Sequence, residues 1–162
     1  MDRTYLLEAM KVRQEHDTAD LLMPTKPQKS VESVERAPEI FTYRVPDRQS
    51  ETTKAPYAVN MVLNSTFRQL PGEEPEGLCT IRTVFCVYNE RHDEGTKMLL
   101  NMMERIRISY QKDPILDARY ELDMETGIQD VVYPDDTAPF YLGEMITVWK
   151  LPPVKREERA WL

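Results

Sequence analysis

His16 and His92 are the two histidines of this 162-residue chain. His92 stands in the phrase NERHDEG, beside Asp93 and Glu94. A histidine next to carboxylates can move protons or ligate a metal. Neighbouring residues on a turn, however, do not aim at one point. Acidic side chains are favoured at a helix start by the helix dipole, so the reading here is a solvated helix start. His16 lies in a polar helical stretch and reads the same way. The acid pairs Glu73/Glu74 and Asp135/Asp136 sit in proline-flanked loops, whereas paired glycosidase carboxylates need a fixed separation across a cleft. Ser30, Ser33, Ser50, Ser65 and Ser109 lie in no nucleophile elbow. The five glycines are too scattered for a phosphate-cradling loop. The expectation is a chain that is not an enzyme, with no cofactor and no metal.

What surrounds these residues is scaffold. The stretch from Leu78 to Tyr110 reads as a central strand, an acidic-glycine link and a helix. Leu99, Met102, Met103, Ile106 and Tyr110 fall on one helical face, with polar residues elsewhere. Met98, Met102 and Met103 lie on or beside that stripe, and nine methionines are many for this length. Core filling is the commoner use of such residues, an adaptable binding face the rarer one. Residues 57–63 alternate, with Tyr57, Val59, Met61 and Leu63 sharing a face. The turn signal of residues 70–77, LPGEEPEG, makes the two strands an antiparallel hairpin. Asp113-Pro114 ends the helix.

Around this centre, residues 2–22 read as an N-terminal helix with a weak stripe of Leu6, Met10 and Leu21, interrupted by Arg13 and Asp17. Such a helix packs against a partner or only partly onto the core. Pro24 and Pro27 end it. Residues 26–37 read as a polar linker or arm, 40–45 as a short strand and 47–54 as an exposed loop. Residues 116–122 form a strand, 127–134 an irregular or short one, and 140–151 another strand. The expected fold is α+β: a mainly antiparallel sheet with one long helix on a face and an N-terminal helix. The expected division is 1–39 helix and arm, 40–151 core, 152–162 tail.

A net charge of −7 argues against an open nucleic-acid-binding face as the main function. Length and 41% hydrophobic content suit one domain with a real core. Twelve prolines against five glycines suggest stiff connections. Cys79 and Cys86 are seven apart in one strand, so they point to opposite faces and cannot pair. They read as free thiols in a reducing compartment. Asp2 and Glu8 interrupt any signal peptide, and no apolar run is long enough for a membrane span.

Surface residues then carry the functional question. Ile108 falls opposite the apolar stripe of its helix, either a lone exposed isoleucine or an interface residue. The chain ends on Trp161-Leu162, either a fraying tail or an anchor on a neighbouring surface. Arg48 in one loop and Glu73 and Glu74 in the other complete the candidate interface residues.

The layout resembles the small tail-terminator proteins of long-tailed bacteriophages and related contractile particles. The likeness is carried by YRVPDRQSETTKAPYAVNMVLN, IRTVFCVYNERHDEGTKMLLNMMERIR, ILDARYELD and PFYLGEMITVWKLPPVKRE, which cover most of residues 40 to 156. The resemblance implies a protomer that forms a homo-oligomeric ring, usually a hexamer, at the head-proximal end of a virion tail. Its partners would be the tail-tube protein and the head-tail connector, with DNA passing through without specific binding and no membrane involved. Assembly would take place in the host cytoplasm. It carries no catalytic residues over. The alternatives are another ring of the head-tail junction, such as a head-completion or connector protein, and a non-viral soluble binding module.

Overall fold

Strict alternation along two long strands divides this protein into its layers. The computed structural model describes residues 2–27, 34–45, 54–134 and 137–157. Its elements are α1 (Asp2–Thr18), β1 (Glu39–Thr42), β2 (Tyr57–Arg68), β3 (Glu76–Tyr88), α2 (His92–Lys112), β4 (Ile115–Leu116), β5 (Tyr120–Leu122), β6 (Gln129–Val132) and β7 (Phe140–Leu151). β2 and β3 form the expected antiparallel hairpin, and β7 pairs antiparallel along β3 from Gly77↔Leu151 to Tyr88↔Phe140. The sheet order is β1-β2-β3-β7-β5-β4, with β6 also on β7. The fold is α+β. One pairing departs from the antiparallel rule: β1 runs parallel to β2.

The odd-numbered residues of β3 and β7 face both helices. Cys79, Ile81, Phe85, Val87, Met145 and Trp149 join Leu6, Leu7 and Met10 of α1 and the whole α2 stripe in one buried cluster. Leu99, Met102, Met103, Ile106 and Tyr110 are all buried, each apolar side chain contributing about 1.5–3 kcal/mol by leaving water. The Trp149 ring meets Tyr110 edge to face at 5.1 Å. On the other side of the sheet, Tyr57, Val59, Cys86 and Tyr88 form a second cluster with Val45 and Ala55. Cys79 and Cys86 therefore do lie on opposite faces, and both are buried.

Three expectations are corrected. α1 does not pack only partly. Leu6, Leu7 and Met10 are fully buried, and Gln14 and Thr18 extend the stripe as buried polar residues. The helix also stops at Thr18, before its prolines, where the Thr18 hydroxyl donates to the Gln14 carbonyl at 2.8 Å. Within the stretch 26–37, residues 28–33 lie outside the described residues, and the segments on either side of them are joined. Met23 and Arg36 exchange two backbone hydrogen bonds of 2.8 and 3.0 Å, and the Thr25 hydroxyl donates to the Val34 carbonyl at 2.7 Å. Residues 116–122 are not one strand: β4 turns into β5 through Asp117 and Ala118, both at positive φ.

Candidate functional site

No helix among the described residues is long and apolar enough to cross a membrane. No group of three or more His, Cys, Asp or Glu among them is placed to hold a metal ion. His92 is exposed at the first turn of α2, its Nδ1 3.1 Å from the Tyr141 hydroxyl. Asp93 beside it faces Arg91 at 3.7 Å. Burial pushes the Cys79 thiol up, away from its reactive thiolate form. What the surface offers instead is a set of grooves around α1.

α1 is held in place from inside. Gln14 Nε2 donates to Asn60 Oδ1 at 2.9 Å and to the Tyr110 hydroxyl at 2.8 Å. Thr83 Oγ1 donates to Asn60 Oδ1 at 2.6 Å. This buried network joins α1, β2, β3 and α2. Outside it, Arg13 reaches the end of α2, donating to the Asp113 carbonyl at 3.0 Å, the Asp113 carboxylate at 3.1 Å and the Ile115 carbonyl at 3.0 Å. These carbonyls lie just past the helix C-terminus, where a cation is favoured. Asp20 accepts from Arg105 at 2.5 Å.

Two grooves flank the ridge so formed. One, of 530 Å³, runs between α1 and the β4–β5 turn and is lined by Tyr5, Ala9, Val12 and Leu116, with Arg119 at its rim. The other, of 490 Å³, lies between α1 and α2 and is lined by Arg13, His16, Asp17, Arg105, Ile108 and Lys112. Ile108 is 39% exposed. The helical arithmetic that set it opposite the stripe thus places it on a groove wall.

The other candidate residues are not gathered there. Glu73 and Glu74 are exposed at the β2–β3 turn, with no ion pair among the described residues. Arg48, Trp161 and Leu162 lie outside the described residues, as do Asp135 and Asp136.

Sequence reading missed Asp17 as a groove residue, because its role needs α1 and α2 side by side. It also missed a polar cluster on the sheet face away from the helices. There Arg82 Nε donates to Glu144 Oε2 and Arg82 Nη2 to the Tyr133 hydroxyl at 2.9 Å. The Tyr133 hydroxyl donates to Glu144 at 3.2 Å. The Glu144 carboxylate first, then the Tyr133 hydroxyl, push the Arg82 pKa up. A signal was present: Arg82 and Glu144 each stand at an even strand position beside apolar even positions, Val84 for the first and Leu142 and Ile146 for the second. No protein-family model matches the chain, and a comparison with curated proteins finds no match.

Proposed function

We propose that this chain is a structural assembly protein of the tail-terminator type, a protomer that closes into a ring, most simply a hexamer, between a tail tube and a head connector. The observation that carries the reading is the contrast between a complete core and an unfilled outer surface around α1. Both helices are fully used inside, yet Tyr5, Val12 and Ile108 stay exposed around two grooves. Exposed apolar patches rimmed by charge mark interaction surfaces more often than catalytic ones. The order of helix, hairpin, long helix and closing strand agrees with the layout on which the resemblance rests.

The charge supports it too. A ring through which DNA moves works best when its wall does not hold phosphates, and the protomer carries −7. The deciding experiment is light scattering on the purified chain, alone and mixed with its tail-tube partner. A mass that is a closed multiple of 19.0 kDa is expected. A chain that stays monomeric with the tube protein present ends the reading. Tight duplex binding at physiological salt with a steep salt slope counts against the inert-wall part of it.

A further inference from the structure

The groove between α1 and α2 contains an ionic imbalance. The Asp17 side chain is only 10% exposed, and the basic group facing it is His16 at 3.7 Å, itself 86% exposed. Asp17 Oδ2 is buried with no hydrogen-bond partner. The two guanidinium groups of the groove are committed elsewhere, Arg13 to Asp113 and Arg105 to Asp20. A carboxylate so nearly buried gains most from a paired cation. On the facing α2 wall, Ile108 is uncovered. Lys112 has no acidic partner among the described residues.

The complementary pattern exists in this chain. After β7, residues 152–157 carry no helix or strand. Pro152-Pro153 stiffens the start of this segment. Val154 is 78% exposed. Lys155, Arg156 and Glu157 follow, all exposed and with no ion pair among the described residues. An apolar residue, two cations and an acid thus answer Ile108, Asp17 and Lys112.

We propose that this arm docks in the α1–α2 groove of a second copy of the chain, Val154 on Ile108 and the Lys155/Arg156 pair at Asp17. The arm of the same subunit is poorly placed to do so. Its Val154 shares a surface hollow with Asp2, at the other end of α1. From Asp2 to Asp17 the helix rises roughly 22 Å, while the two residues from Val154 to Arg156 span roughly 7 Å. Donor and acceptor surfaces therefore differ, and the contact is head-to-tail, the kind that closes a ring by rotation. The inference rests on the ring reading and supplies its contact.

Disulfide trapping tests it. Val154→Cys and Ile108→Cys are made in separate chains and mixed under mild oxidation. The native Cys79 and Cys86 are fully buried and stay silent. The mixture is expected to give a two-chain covalent species at least tenfold above a control pairing Val154→Cys with Leu63→Cys. Arg156→Glu, a surface change that leaves the fold alone, is expected to raise the concentration of half-assembly at least tenfold, and Asp17→Asn likewise. Cross-linking no better than the control overturns the proposal. So does a disulfide that forms only within one chain carrying both cysteines. A wild-type ring that survives removal of residues 154–162 overturns this contact while leaving the ring itself standing. A monomer under all conditions, with no cross-link, removes both.

Discussion

Gln14 and Asn60 face each other as a reciprocal amide pair: Gln14 Nε2 donates to Asn60 Oδ1 at 2.9 Å, and Asn60 Nδ2 donates to Gln14 Oε1 at 2.7 Å. Both residues are fully buried. Each amide fixes the other's flip, and Thr83 and Tyr110 use the remaining capacity. Gln14→Ala removes two partners and leaves Asn60 and Tyr110 short of bonds, at a cost of about 1–3 kcal/mol per stranded group. Urea unfolding with Gln14→Ala, Asn60→Ala and the double variant measures the coupling. The double variant is expected to be less destabilised than the sum of the two.

Ile106 sits fully buried in the cluster between α2 and the sheet. Ile106→Ala is expected to destabilise the fold by about 2–5 kcal/mol. A loss below 1 kcal/mol in the same assay contradicts the packing described for this helix.

At Gly143 the reason for glycine is the neighbour rather than the backbone. A Cβ there would stand 2.9 Å from the Val131 carbonyl oxygen and 3.0 Å from Met103 Sδ. The first is backbone on β6 and does not swing aside. Gly143→Ala is expected to cost about 1–3 kcal/mol as overpacking, detected as a lowered thermal midpoint. Met103→Ala in the same chain relieves one clash and not the other, so recovery is partial.

Tyr110 gives the fold an alkaline limit. Burial first, with the nearby Asp17 charge adding to it and the Gln14 hydrogen bond opposing it, raises its pKa above the ordinary tyrosine value. The unfolded phenol ionises near 10. Its contribution is complete below that pH and is lost as pH rises from there through the folded value. Stability measured in urea is expected to hold at pH 8 and fall above about pH 10. Tyr110→Phe, less stable at pH 8, is expected to lose less on the same climb.

The parts legible in sequence were those with one clear period. The β2–β3 hairpin, α2 and β7 each repeat apolar residues at the spacing of their element, and all three stand where that spacing puts them. Ile108 was legible for the same reason. α1 was not, because its buried stripe runs through Gln14 and Thr18, polar side chains whose burial depends on partners far along the chain. The parallel β1 was hidden because four residues carry no direction. The β4–β5 turn was hidden because Asp117 and Ala118 are not the usual residues for positive φ. The groove itself was unreadable: it exists only where two helices 96 residues apart come together, as Arg13 and Ser109 do.

That distance has a consequence for how the chain is made. α1 is synthesised first, yet its Asn60 contact is 46 residues downstream and its Tyr110 contact 96. Until α2 has been completed, the first helix has only part of its packing surface, that offered by β1 and β2. A strongly apolar helix waiting that long would invite aggregation. The polar residues that make its stripe faint leave it harmless in the nascent chain. They become core residues once their partners arrive. The β2–β3 hairpin, whose strands are adjacent in sequence, closes its loop at lower entropic cost. The pairings of lowest entropic cost thus lie in the middle of the chain, while the contacts of α1 with α2 close across a far longer separation.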